Sequence, residues 1–182
     1  MNESGGYSPK DLHFGADAQS KLISGITKLS NAVKSTLGPM GNTVLIESPK
    51  HTHGITVTKD GVTVAKSIQL LDPVENLAVQ MMKEAADRTA SEAGDGTTTA
   101  IVLTEALVKA GVEKIKPQDN KTEILRELVS ISKEIIDGLK ERSIPLTGKM
   151  LHDVTTISAN NDPVVGKIIS DTYNQVGDNG IG

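Results

Sequence analysis

Between positions 17 and 37 the apolar residues Leu22, Ile23, Ile26, Leu29, Val33 and Leu37 recur three or four apart, the spacing that stacks side chains on one helical face. Gly38 and Pro39 stop that helix. Residues 43–47 and 55–58 are short β-prone runs, and the Pro- and Gly-containing stretch 48–54 between them predicts an irregular hairpin, closed tightly by Lys59, Asp60 and Gly61. A short helix follows over 62–69. Asp72 and Pro73 form an N-cap and first-turn pair for a longer helix to Ala93, with Leu77, Met81, Ala85 and Ala86 as its buried stripe. Gly94, Asp95 and Gly96 break it. Thr97 then caps a helix to about Ile115, with Ile101, Val102, Leu107 and Val108 inward. Residues 121–142 carry Ile124, Leu125, Leu128, Ile131, Ile135 and Leu139 at helical spacing, ended by Pro145, and Asp162 and Pro163 cap a last helix to about Val176. The Gly- and Ser-rich residues 1–9 read as a flexible tail, and 177–182 as a hinge. Two strands cannot build a doubly wound sheet, so the predicted fold is mainly α, a multihelical bundle with a β-hairpin.

Composition sharpens this picture. The chain of 182 residues holds one Phe, two Tyr and no Trp, so its core must be aliphatic and rich in small residues, which suits helix on helix. A formal net charge of -4, with both signs interspersed, leaves no electrostatic footprint for nucleic acid or an anionic membrane surface. There is no Cys, hence neither disulfide nor thiolate metal site. No apolar run approaches the length needed to cross a bilayer, and the start lacks the apolar stretch of a signal peptide. A cytoplasmic location is expected.

Three segments could carry chemistry. Gly94, Asp95, Gly96, Thr97, Thr98 and Thr99 put two glycines and three hydroxyls at a helix start, where free amides and the positive end of the helix dipole attract an anion. Asp95 would repel phosphate unless a divalent cation bridges them, and magnesium held by one carboxylate plus phosphate oxygens does so. Standing alone, the segment is more readily explained as a helix break with an ordinary Asp and Thr cap. Thr36, Leu37, Gly38, Pro39, Met40 and Gly41 form a helix end with exposed backbone, otherwise a plain C-cap with a proline stop. Lys59, Asp60 and Gly61 offer a cation and a water-orienting carboxylate, or a common turn. No Gly-x-x-x-x-Gly-Lys-Ser/Thr is present, which excludes a P-loop. His51 and His53 lack a nearby third ligand and read as a solvated loop.

In this order the three segments resemble the nucleotide site of the group I chaperonins, the GroEL and mitochondrial chaperonin family. The likeness runs through KDLHFGADA, AVKSTLGPMGNTVLIE, TVTKDGVTVAKSI, EAGDGTTTAIVL and TISANNDPVVGKII. It implies that residues 10–142 are the first segment of an equatorial, ATP-binding domain, and 143–182 the ascending part of an intermediate domain. It also assigns Thr36, Leu37, Gly38, Pro39, Lys59 and Gly61 to the nucleotide, and sets Thr36, Lys59 and Thr98 near a potassium ion. Asp95 becomes the magnesium ligand, Gly96, Thr97, Thr98 and Thr99 hold phosphate oxygens, and Asp60 orients the attacking water. Ile157 is placed near the nucleotide or, as readily, in a core. The implied cofactors are ATP, Mg2+ and K+. The implied partners are non-native polypeptides, identical subunits in a heptameric ring and a co-chaperonin lid, whose requirement the sequence leaves open.

Met40 and Asn42 depart from the family, which usually has basic residues there, and so remove positive charge beside the site. A second water-orienting Asp and the adenine contacts would come from segments outside this chain, so ATP hydrolysis is expected of the full-length protein and not of these 182 residues alone. The rival reading is a truncated, non-catalytic interaction module. The glycine-rich 177–182, which resembles a connector more than a terminal cap, argues against it. An unrelated phosphate-binding helical protein would require the order of three motifs to be chance.

Overall fold

The computed structural model describes residues 10–38, 40–47 and 54–177. The predicted tail over 1–9, Pro39, His51, His53 and the end of the hinge over 178–182 lie outside these. The elements run α1 (Gly15–Lys34), β1 (Val44–Glu47), β2 (Ile55–Thr58), α2 (Gly61–Ser67), α3 (Pro73–Ala93), α4 (Thr97–Lys114), α5 (Lys121–Arg142), α6 (Lys149–Ser158) and α7 (Pro163–Val176). The architecture is mainly helical with one antiparallel hairpin, as the sequence predicts. The chain divides into two compact units, Met1–Asp119 and Asn120–Gly182.

In the first unit α1 packs on α3, α4 and α2. Its buried face is Gly25, Ile26, Leu29, Ser30 and Val33. These join Val64, Ala65, Ala78, Val79, Met82, Ala86 and Ile101 in a core without an aromatic residue. Burying each of the larger aliphatics contributes about 1.5–3 kcal/mol. Leu37 leaves the predicted face, because α1 stops at Lys34. There the Thr36 amide and hydroxyl both donate to the Val33 carbonyl, at 3.0 and 2.8 Å, and divert the backbone from another turn.

The hairpin pairs Val44 with Thr58 and Glu47 with Ile55. Val44 and Ile46 rest on the core while Leu45, Ile55 and Val57 face outward. Lys59, Asp60 and Gly61 do not close this hairpin: they lead from β2 into α2, whose N-cap is Asp60. At the other end of α2, Lys83 Nζ donates to the Lys66 and Ile68 carbonyls, at 3.0 and 2.5 Å.

Helix α3 begins at the predicted cap, where Asp72 accepts from the Val74 and Glu75 amides. Its buried stripe differs. Ala78, Val79, Met82 and Ala86 are inward, whereas Leu77, Met81 and Ala85 are exposed. Two apolar stripes run along α3, and α1 takes the one with smaller residues because small side chains let the helix axes approach. On α4, Ile101 is buried and Val102 and Val108 are partly so, but Leu107 is exposed and Glu105 takes an inward place.

In the second unit α5 starts at Asn120, whose side chain accepts from the Glu123 amide, and buries none of its residues. Helices α6 and α7 pack together. Thr155 donates to the Gly166 carbonyl at 2.8 Å, and Asp162 caps α7 as predicted. Helix α6 was not anticipated, since its start at Gly148 (φ 52°) has no side-chain cap. Asn160 and Asn161, both at positive φ, turn the chain from α6 to α7.

Gly25 sets the distance between α1 and α3: a methyl group there would overlap the Glu75 carbonyl. Because the obstacle is backbone, Gly25→Ala should lower stability by about 1–3 kcal/mol. Urea unfolding checks this, and an unchanged midpoint would mean that the two helices do not approach so closely.

Candidate functional site

The end of α1 turns through Ser35 and Thr36 into Gly38, at φ 78°, and folds back so that the Gly41 amide donates to the Gly38 carbonyl and the Asn42 amide to the Ser35 carbonyl. A methyl on Gly41 would overlap the Thr36 carbonyl, so glycine is required there by close approach. Leu37 and Gly38 are exposed and Thr36 is half-buried.

The turn from α3 to α4 uses glycines as the sequence suggests. Gly94 and Gly96 adopt φ of 75° and 85°. Gly96, and not Thr97, is the N-cap of α4, and no side chain caps the first amides. Those amides are left available to an anion. Thr97 is buried, Thr98 half-buried and Thr99 exposed. Asp95 is exposed, and its Oδ1 accepts from the Gly96 amide at 2.5 Å. Among the described residues its second oxygen has no partner, which leaves a carboxylate oxygen beside an amide-rich turn. One carboxylate with ligand oxygens fits magnesium.

Gly61 joins the segments. A methyl there would overlap Thr98 Oγ1 and come within 3.3 Å of Val33 Cγ1, so the start of α2 sits directly against the start of α4 and beside the last turn of α1. The motif around Lys59, Asp60 and Gly61 thus meets the Gly96, Thr97, Thr98 and Thr99 turn, with Thr36 three residues beyond Val33. Thr98 and the backbone of this corner supply oxygen donors of the kind that suit a hard cation such as potassium. Lys59 is exposed.

Asp60 has a structural task of its own. Its Oδ1 accepts from the Val62 amide at 3.2 Å, and its Oδ2 from the Thr63 amide at 2.9 Å and hydroxyl at 2.6 Å. Partial burial pushes its carboxyl up, but the Thr63 and Val62 hydrogen bonds and the Lys66 charge outweigh that and hold it below the usual carboxylate value. It is therefore ionised near neutral pH. An ionised carboxylate has about four acceptor positions, so three bonds leave room for one water.

Ile157 belongs to α6 in the second unit and is 68% exposed, so the core role is corrected. Glu105 lies outside the apolar periodicity of α4, yet it is 2% exposed and ion-paired to Lys34 of α1 and, at 2.7 Å, to Lys109 one turn along α4. The i,i+4 spacing of Glu105 and Lys109 was the available sign. Burial pushes the Glu105 carboxyl up, yet hydrogen bonds from Lys109 and Lys34 bring it below its ordinary value.

A glycine-lined, amide-rich corner with two exposed carboxylates, on a helical unit with a hairpin, has the chemistry to receive an anion together with a cation. A family model described as TCP-1/cpn60 chaperonin matches residues 29–180, and the chain belongs to that family. The chaperonin gp146 from the bacteriophage EL 2 (Pseudomonas aeruginosa), crystallised in the presence of ATP-BeFx, is similar at 29% identity and a TM-score of 0.79, over 92% of this chain and 30% of its own. In a second crystal form it matches at 31% identity and a TM-score of 0.75, over 88% of this chain and 28% of its own. A group III chaperonin in the open state matches at 26% identity and a TM-score of 0.73, over 89% and 32%. The chain therefore spans about a third of the solved chaperonins it matches, and its fold corresponds to a chaperonin equatorial-like domain. Among the described residues no helix is long and apolar enough to cross a membrane.

A lowered folded pKa makes Glu105 stabilise the fold above the ordinary carboxylate value of about 4.3. That contribution is lost as pH falls through the lower folded value. Between about pH 6 and pH 3, Glu105→Gln should show a flatter fall in melting temperature than the parent. Parallel curves would remove Glu105 from the acid response.

Proposed function

We propose that the chain carries one half of a magnesium-dependent ATP site of a group I chaperonin subunit. In that reading residues 10–142 belong to the equatorial domain and 143–182 to the intermediate domain. The observation that carries it is the meeting of Gly61 with Thr98 beside the last turn of α1, which gathers three separate glycine- and hydroxyl-rich segments at one corner. The neighbour crystallised with ATP-BeFx supports nucleotide as the ligand.

In this reading Thr36, Leu37, Gly38, Pro39, Lys59 and Gly61 contact the nucleotide. The uncapped start of α4, through Gly96, Thr97, Thr98 and Thr99, receives phosphate oxygens. Asp95 holds magnesium, while oxygen atoms of Thr36, Lys59 and Thr98 suit potassium. When bound, magnesium neutralises charge on the phosphate oxygens. Asp60 keeps α2 capped and uses its remaining acceptor position to orient a water for attack on the terminal phosphate. ATP binding and hydrolysis, in a ring of seven identical subunits that receives non-native polypeptide under a lid, would be the work of the whole cytoplasmic protein.

Two substitutions in the full-length protein test the assignment. Asp95→Ala should abolish magnesium-dependent turnover while the melting temperature stays near the parent's, since the side chain makes only one exposed bond, and parental turnover would remove Asp95 from the site. Asp60→Asn retains a good N-cap residue, so the fold should persist. Hydrolysis should slow by about 10²–10⁴-fold with nucleotide affinity kept, the effect of losing a group that acts on the water. An equal loss of affinity and rate would make Asp60 a binding residue.

A further inference from the structure

We propose that Glu105 is a positioning residue for this nucleotide site: its buried carboxylate, held to Lys34, fixes the end of α1 against α4 and so sets residues 36–38 relative to residues 96–99. This rests on the reading of those two segments as parts of one site. Lys34 is the last residue of α1, two before Thr36. Glu105 lies eight residues beyond Thr97, about 12 Å along α4 at 1.5 Å per residue. It is the point at which α4 grips the end of α1 by a polar bond.

Beside this bond both helices contribute apolar residues, Val33 and Ile101, to the same core. Apolar contact is non-directional and tolerates small sliding. A charge-assisted hydrogen bond is directional, and a buried ion pair is best attested as a device that selects one register. A nucleotide held by two segments on different helices needs that register, because a misplacement near 1 Å costs about 10²-fold in rate. Lys109 also pairs with Glu105, but from within α4, so it fixes nothing between the helices.

The sign of the electrostatics separates positioning from charge. Removing a negative charge near a phosphate site strengthens anion binding by Coulomb's law. Loss of register weakens it. In the full chain, magnesium-ADP affinity should therefore fall about tenfold in Glu105→Gln and in Lys34→Met, and stay within about twofold of the parent in Lys109→Met. Amide exchange over residues 35–42 without nucleotide should rise in the first two variants and not in the third. Lys34→Met removes a cation and would weaken anion binding by charge alone, so if Glu105→Gln fails to fold, the amide exchange over residues 35–42 in Lys34→Met, measured without nucleotide, decides the matter. Unchanged or tighter ADP binding in Lys34→Met, or unchanged exchange over 35–42, overturns the proposal. A parent that binds no ADP instead defeats the nucleotide reading, and the exchange result still decides whether the clamp exists.

Discussion

Close approach of neighbouring elements to glycine backbone around α1 is the constraint on which the first unit depends. A core built from Leu29, Val33, Val64, Val79, Met82 and Ile101, without an aromatic side chain, fills its interior only if the elements come near one another. Gly25 against the Glu75 carbonyl and Gly61 against Thr98 are where that nearness is greatest. The same approach that closes the core places the starts of α2 and α4 side by side. The corner with functional potential is thus a product of packing, since its geometry follows from which positions carry no side chain.

Charge adds register to this arrangement. Lys21, Lys28 and Lys34 of α1 pair with Asp72, Glu75 and Glu105, the first two at the start of α3 and the third on α4. The pairs with Asp72 and Glu75 are partly solvated and contribute little to stability. Ser24 and Lys28 nevertheless fix Glu75 directly over Gly25, so hydrogen bonds locate the helix crossing that the glycine permits. Glu105 differs because it is enclosed, and its loss would disturb the fit of two helices and not only a surface contact.

Capping chemistry made much of the fold legible. Asp72 with Pro73 and Asp162 with Pro163 mark helix starts by a local rule, and each structural cap falls there. Burial was less legible, because α3 has two apolar stripes and only tertiary packing chooses Ala78, Val79 and Met82 over Leu77 and Met81. Helix α6 escaped because Gly148 supplies no capping oxygen and its Val154, Thr155, Thr156 and Ile157 run favours strand by propensity. At the candidate site, glycines and hydroxyls could be read from spacing, whereas the burial of Glu105 depends on the covering by α1, which no local pattern specifies. Asp60 carried two signals at once, a turn and a possible water ligand, and the structure adds a third role as a cap.

Met40 and Asn42 show which parts of the site sequence must specify and which it need not. The loop after α1 is held by bonds from the Gly41 amide to Gly38 and from the Asn42 amide to Ser35, all backbone. Met40 is almost fully exposed, and its side chain takes no part in holding the loop. Replacing basic residues at these two positions therefore changes the potential near the loop without changing its path. Coulomb attraction between exposed groups is screened over about 8–10 Å in physiological salt. The amides at the start of α4 are fixed dipoles that act at contact distance, and they depend on Gly94 and Gly96 adopting positive φ, not on distant charge. Glycine positions and the two carboxylates Asp60 and Asp95 are accordingly where substitution should matter, while the surrounding charge is free to vary with the partners of the loop.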